Sequence, residues 1–214
     1  RTYVERDVRM IKNIDNSTLF TKFLKICAGR TGQLLNLTAI SIECGIELKT
    51  VQSWLAILES SYIVFLLKPH HHNFNKRLVK TPKLYFYDTG IVCSLLGINN
   101  VKQITTHAAK GPLFENLIIT ELLKARLNKG MPDNLYYWRD KTGNEVDVVA
   151  DHSGKLTVFE LKAGETISSD FFKGLDYFSS LHKLPVNKLL VYGGKELQKR
   201  SNGTTVNPWN ELTR

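Results

Sequence analysis

The runs Glu145-Val-Asp-Val-Val-Ala-Asp151 and Leu156-Thr-Val-Phe-Glu-Leu-Lys162, joined through Ser153-Gly154, constrain this chain more than any other feature. Both alternate with a period of two, which is the pattern of half-buried strands, and a two-residue loop ending in Gly predicts a tight hairpin. With Ser153 and Gly154 as the loop, facing residues have numbers that sum to 307. Asp147 then stands opposite Glu160, and Glu145 opposite Lys162. A regular pleat puts all four on one face and leaves Val146, Val148, Ala150, Phe159 and Leu161 for the core on the other. Carboxylates directly opposite each other weaken a sheet. A chain that accepts such a pair is expected to hold a divalent cation or a shared proton between them. Oxygen donors of this kind suit magnesium or manganese.

The rest of the composition narrows the class. The 214 residues are 43% apolar, enough for a buried core in one large or two small domains. The longest strongly apolar run, Ile63-Val-Phe-Leu-Leu67, is far short of a membrane span, and no signal-peptide pattern opens the chain. Cys27, Cys44 and Cys93 show no C-x-x-C spacing, which favours a reducing cytoplasm over a zinc site. The first residue is Arg1, so a longer protein is expected. Net charge is +9, and its distribution is uneven: residues 1–110 carry 15 Lys and Arg against 7 Asp and Glu, and residues 111–214 carry 14 against 13. A basic first half suits nucleic acid or another acidic partner; the competing reading is a solvated or interdomain face.

Along the chain, residues 1–30 read as helical, from Val4, Val8 and Ile11 through Leu19, Phe23, Leu24 and Ile26. A helix-turn-helix pattern follows: Asn36 to Ser41 starts a short helix, Gly45 breaks it, and Leu48, Val51, Leu55 and Leu58 mark one face of the next. The exposed Lys49, Thr50, Gln52 and Ser53 of that second helix are the candidates for a DNA groove. Strands are expected at 62–67 and 83–87, joined by a loop bearing His70, His71, His72, Lys76, Arg77, Lys80 and Lys83. This outline is a winged helix with Lys76, Arg77 and Lys80 as further DNA contacts, although many winged helices bind only protein. The three adjacent histidines cannot easily converge on one metal. Loop chemistry at 97–100 and 108–112 marks a boundary, giving domains 1–100 and 101–214. The second half reads helix 113–128, strands 135–139, 145–151 and 156–162, helix 168–182 and strand 188–193, an α-β-β-β-α-β order with a right-handed crossover into the last strand.

Glu115 falls within the apolar arc of the helix formed by Phe114, Ile118, Leu122 and Ala125. An inward carboxylate is costly unless paired or metal-bound. Taken together, Glu115, Asp147 and Glu160-x-Lys162 in this element order resemble the PD-(D/E)xK nuclease superfamily, a restriction-endonuclease-like fold. The resemblance implies that Asp147 and Glu160 hold magnesium, that Lys162 positions or activates the attacking water, and that Glu115 assists the metal. It also suggests Lys173 and Tyr177, one helical turn apart, as a substrate-contacting pair. The Pro of the superfamily name is absent here.

The segments Arg1 to Asp7, Lys80-Thr-Pro-Lys-Leu-Tyr-Phe-Tyr-Asp-Thr-Gly90, Gly111-Pro-Leu-Phe-Glu-Asn116, Tyr137-Trp-Arg-Asp140 and Gly143-Asn-Glu-Val-Asp147 resemble a more specific bacterial and archaeal family. It is the domain of unknown function that follows the ATPase module in certain AAA-type ATPases. That resemblance implies an ATP-binding module upstream; this chain has no G-x-x-x-x-G-K-[ST] loop with which to hold ATP itself. The expectation is therefore a mixed α/β chain, a winged-helix domain followed by a nuclease-like domain. It would bind nucleic acid, DNA before RNA, and use magnesium or manganese to hydrolyse phosphodiesters. The partners are nucleic acid and the ATPase module of the same protein, with no membrane; a homo-oligomer is compatible with the sequence. The alternative is a catalytically inactive nuclease-like fold that docks DNA or the ATPase module. In that case an exposed apolar patch is expected, for which Trp54, Tyr62 and Trp209 are candidates.

Overall fold

The structure, a computed structural model, describes residues 16–70 and 78–212. The expectations for the helix before residue 16, for the Arg1 to Asp7 motif and for His71, His72, Lys76 and Arg77 lie outside the described residues. The chain divides into two compact units, Arg1–Leu66 with Pro82–Asn116, and Leu67–Thr81 with Leu117–Arg214.

In the first unit, α1 (Ser17–Gly29) starts where the Asn16 side chain accepts the Leu19 amide, and it buries Phe20, Phe23, Leu24 and Cys27. Helix α2 (Leu37–Cys44) is capped in the same way by Asn36. It ends at Gly45, whose φ of 76° is a left-handed value that Gly adopts without steric cost. Helix α3 (Leu48–Ser60) turns Val51, Leu55 and Leu58 inward, as its spacing predicts, and Ile57 with them, whereas Leu48, expected on the same face, is exposed. Strands β1 (Val64–Leu67) and β2 (Lys83–Phe86) pair as a two-stranded ribbon. The core of the unit gathers Phe20, Phe23, Ile40, Val51, Leu58, Leu84 and Phe86, with the partly buried Trp54 edge-on to Phe20 at 5.2 Å. Fully burying such a side chain stabilises by ~1.5–3 kcal/mol.

Two short helices that the sequence reading left unassigned follow, α4 (Thr89–Leu95) and α5 (Val101–Thr106), capped by Asp88 and Asn100. The loop expected over 108–112 is corrected: helix α6 (Lys110–Leu127) already includes Gly111 and Pro112. Proline is tolerated in a first helical turn because the N–H it lacks would have no intrahelical partner there.

The second unit is a mixed six-stranded sheet in the order β3-β4-β5-β6-β8-β7. Strands β3 (Leu135–Arg139), β4 (Glu145–His152) and β5 (Lys155–Lys162) form an antiparallel meander. The chain then crosses through a 3-10 turn at Ser169–Phe172 and helix α7 (Lys173–Ser180) to β6 (Asn187–Tyr192), which lies parallel to β5. The single helix expected over 168–182 is therefore a 3-10 turn capped by Ser168 and a shorter α-helix. Two further strands, β7 (Gln198–Lys199) and β8 (Thr205–Pro208), extend the sheet beyond β6. Their brevity and the Pro left no alternating run to read. Trp138, Val146, Val149, Val158, Leu175 and Phe178 make the cluster in which α7 packs on the sheet.

The limbs of the expected wing also belong to this unit. Tyr137 donates its amide to the Lys68 carbonyl at 3.1 Å, and the His70 and Val79 amides donate to Tyr137 and Arg139 at 2.7 and 3.0 Å. Residues 68–70 and 78–79 thus run beside β3 instead of projecting as a free tip.

Candidate active site

The hairpin expected over residues 145–162 forms in the expected register. Val148 faces Phe159, Val149 faces Val158, and the ladder continues to His152 facing Lys155, every pair summing to 307. Ser153 and Gly154 have φ of 53° and 84°. Positive φ at both positions is the type I′ geometry that matches the twist of paired strands. The Asp151 side chain accepts the Gly154 amide at 2.8 Å and ties the turn down.

The ladder stops at Val148, and the other neighbour of β4 gives the reason. On β3, Leu135 and Tyr136 face Ala150 and Val149, whereas Trp138 and Arg139 face Val146 and Glu145. Asp147 and Val148 together oppose Tyr137 alone, so β4 carries a bulge of one residue at Asp147. The extra residue inverts the alternation: Val146 and Val149, an odd number of positions apart, enter the same cluster. Asp147 leaves the ladder and uses its side chain instead, with Oδ2 accepting the Leu161 amide at 2.8 Å. Its carboxylate is thereby fixed beside the stretch of β5 that holds Glu160 and Lys162.

Glu160 Oε1 and Lys162 Nζ are 2.6 Å apart, with side chains 14% and 32% exposed. Lys162 Nζ also lies 5.4 Å from the centre of the Phe171 ring, which comes from the 3-10 turn. The expected pairing of Glu145 with Lys162 is corrected. The bulge carries Glu145 toward β3, where its carboxylate meets Arg139 at 3.4 Å.

Two residues outside the expected site set this geometry. The first is Gly174, in the first turn of α7. A Cβ there would stand 2.2 Å from the Glu145 carbonyl oxygen and 3.7 Å from Glu160 Oε2, so only glycine lets the helix approach β4 this closely. A glycine in a helix costs ~1 kcal/mol against Ala, and that conflict was its signal in the sequence. The second is Asp140, 3% exposed, which gathers the β3–β4 turn. Its oxygens accept the Thr142 amide and hydroxyl at 2.9 and 2.8 Å, and the Asn144 backbone and side-chain amides, each at 3.0 Å. Burial opposes the charge on Asp140, but these hydrogen bonds together outweigh it and hold its carboxyl below the ordinary carboxylate range.

Glu115 belongs to the first unit. Its Oε1 accepts from Lys83 Nζ at 3.1 Å and from the Tyr85 hydroxyl. Lys83, expected in the basic loop, is 4% exposed and serves as the partner of this carboxylate. Next to it, Asn116 is fully buried and bonds the Phe86 amide and carbonyl at 2.8 and 2.9 Å. The Lys80–Gly90 and Gly111–Asn116 motifs thus meet in one hydrogen-bonded junction between β2 and the start of α6.

Of the expected DNA contacts, Lys49, Gln52 and Ser53 are exposed on α3 and Thr50 is partly so. Lys80 is exposed but belongs to the second unit. Lys173 is exposed and pairs with Asp170 at 2.6 Å, while Tyr177 packs against Trp138. Burial pushes the Cys27 thiol up to about 12, with the neighbouring Cys44 adding to the rise. Burial raises Cys44 and Cys93 as well, so all three thiols favour the protonated form.

Among the described residues, no three His, Cys, Asp or Glu side chains converge in a group able to hold a metal ion. Asp147 and Glu160, the two expected ligands, are carboxylates on neighbouring strands; magnesium keeps several waters and takes as few as one or two carboxylates.

Residues 1–102 match a domain of unknown function (DUF8612), and residues 110–212 match a second (DUF4143). Two uncharacterized proteins, Mb2031c of Mycobacterium bovis and Rv2008c of Mycobacterium tuberculosis, are each 29% identical over 78% of this chain. The chain spans 37% of the length of these curated relatives. The crystal structure of protein VC1899 from Vibrio cholerae aligns with 92% of this chain and 55% of its own, at 14% identity and a TM-score of 0.38, too slight a likeness to carry an argument. No helix among the described residues is long and apolar enough to cross a membrane.

Two measurements check the frame of the site. Gly174→Ala should lower the urea midpoint, costing ~1–3 kcal/mol through overpacking despite its better helix propensity; a more stable variant would contradict the close approach to Glu145. For Asp140, a carboxyl whose folded pKa is depressed adds stability above its unfolded value near ~3.9, and that stability is lost as pH falls through the lower folded value. Asp140→Asn should therefore be less stable than the parent at neutral pH by ~1–3 kcal/mol. The gap should narrow as pH falls below the ordinary carboxylate range and through the lower folded value. A gap independent of pH would show that the charge on Asp140 does not matter.

Proposed function

We propose that the second unit carries a metal-dependent phosphodiester-hydrolysing site and that the first unit binds nucleic acid through α3. Residues 1–66 with 82–116 are then a winged-helix domain, and the sheet unit is a restriction-endonuclease-like domain. Together they form the C-terminal part of an AAA-type ATP-binding protein. The observation that carries the reading is the bulge at Asp147, which turns one carboxylate out of the ladder and onto the Leu161 amide beside the Glu160–Lys162 pair. Bulges next to functional sites commonly re-aim a side chain in this way.

The chemistry follows from the residues. Asp147 and Glu160 supply the oxygens for magnesium or manganese. A divalent cation bound there polarises the phosphate and acidifies water. Lys162 offers a positive charge to a phosphate oxygen. Its ammonium can also orient the attacking water by accepting no bond and donating up to three. Gly174 keeps α7 close enough to wall one side of the pair. Glu115, engaged by Lys83 and Tyr85 in the first unit, serves the β2–α6 junction in this reading and not the metal.

A second reading, a nuclease-like fold that docks protein without cleaving, draws on the apolar exposure of the first unit. Ile42 and Tyr62 are 77% and 74% exposed and Leu48 is 41% exposed, with Glu43 and Glu47 close by in sequence. Acidic residues at that turn suit a protein partner better than a phosphate backbone.

Cleavage of plasmid and single-stranded DNA with magnesium or manganese separates the two. Asp147→Ala and Lys162→Ala should each lower the rate on the order of 10²–10³-fold, and EDTA should abolish it. Equal, EDTA-insensitive activity in the parent and both variants would remove the catalytic reading. For α3, binding to duplex DNA should weaken with salt by about 0.9 in log K per log salt for each phosphate contact. Lys49→Ala should make the slope shallower by about one contact. An absence of binding at low salt would leave the docking reading for the first unit.

A further inference from the structure

We infer that Phe171 is a positioning residue for Lys162. It gives the ammonium a second seat on the site, so that Lys162 can leave Glu160 without leaving the reacting volume. The inference rests on the reading of Asp147, Glu160 and Lys162 as a cation and phosphate site.

Glu160 has two tasks that conflict: it pairs with Lys162 at 2.6 Å, and in the proposed reading it holds the divalent cation together with Asp147. Cation and ammonium compete for the same oxygens. Lysine is a compact charge on a flexible four-carbon stem. Its side chain is 32% exposed, so water is open to an ammonium displaced from Glu160. The Phe171 ring, 5.4 Å from Nζ, changes that outcome. The face of an aromatic ring attracts a cation within ~6 Å, and it accepts the ammonium without consuming a carboxylate oxygen.

The placement of the ring is built in. Phe171 lies in the 3-10 turn at Ser169–Phe172, whose start is capped by Ser168. With Ile167 and Phe172 it packs on Leu190, Tyr192 and Val206 of the sheet. Lys162 and Tyr192 face each other across the β5–β6 ladder, so the strand that carries the lysine and the cluster that holds the ring are adjacent. Gly174 follows two residues after Phe172 and sits against Glu145 and Glu160. One short crossover segment therefore supplies both the close approach to Glu160 and the seat for Lys162. Phe172 repeats the arrangement with Arg200, 5.9 Å from its ring.

The test is a double-mutant cycle read by manganese binding and by NMR of the protein with reductively methylated lysines. Phe171→Leu keeps an apolar side chain but loses the ring face, so manganese binding to the whole chain should weaken about two- to fivefold, which is what ~0.5–1 kcal/mol of cation–π attraction corresponds to. Phe171→Tyr should restore it. In a Lys162→Met background there is no ammonium to seat, and Phe171→Leu should then change affinity by less than about 1.5-fold. The Lys162 methyl signal should carry an upfield ring-current shift in the parent and in Phe171→Tyr, lost in Phe171→Leu. An equal loss of affinity with and without Lys162 would make Phe171 a merely structural residue and overturn the inference, as would a Lys162 signal unmoved by Phe171→Leu. If the parent chain binds no manganese, the reading of the site fails. The Lys162 signal then still decides whether Phe171 holds the ammonium.

Discussion

The single inserted residue in β4 is the constraint on which the rest of the site depends. An antiparallel ladder that ran unbroken to the end of the hairpin would press Asp147 against Glu160 as ladder partners, two like charges a few ångströms apart. The bulge removes that conflict. Asp147 trades a place in the ladder for the Leu161 amide, Glu145 moves to Arg139, and Glu160 keeps Lys162. Each carboxylate thus acquires its own partner, yet Asp147 and Glu160 stay on neighbouring strands. Val146 is drawn into the cluster beneath α7 by the same inversion, so the distortion is anchored by core packing and not left to the loop.

The turn before β4 does a second part of the work. Asp140 organises Thr142 and Asn144 through four hydrogen bonds, which fixes where β4 begins and so where the bulge falls. Above the sheet, Gly174 lets α7 come down onto the Glu145 carbonyl. The preceding 3-10 turn brings Phe171 to Lys162. Three local devices, a side-chain-bonded turn, a bulge and a helical glycine, converge on a patch only a few residues wide.

The first unit has its own polar anchor. Glu115 and Asn116 on α6 hold β2 through Lys83, Tyr85 and the backbone of Phe86. A lysine and a carboxylate this buried are tolerated because each satisfies the other and a tyrosine hydroxyl adds to the pair. The motifs that made the sequence recognisable are mainly such junctions: Lys80–Gly90 with Gly111–Asn116 in one unit, and Tyr137–Asp140 with Gly143–Asp147 in the other. They encode how the chain is bolted together at least as much as what it does.

Much of this was legible in the residues alone. The alternation of 145–151 and 156–162, with Ser153-Gly154 between them, determined a hairpin and its register, because a two-residue type I′ turn leaves one pairing only. Helical spacing and the Asn36 and Gly45 signals determined α2 and α3. The order of elements from α6 to β6 could be read from period and punctuation. What the sequence could not carry was any feature created by contact between segments far apart in the chain. The bulge shows only when β4 is laid against β3, the role of Lys83 only when β2 meets α6, and the need for Gly174 only when α7 rests on β4. Strands β7 and β8 are too short to have a period, and they exist because β6 offers them an open edge. Local pattern decided which segments become strands and helices. Tertiary packing decided which way the charged side chains face, because one residue more or less between two contacts reverses that direction.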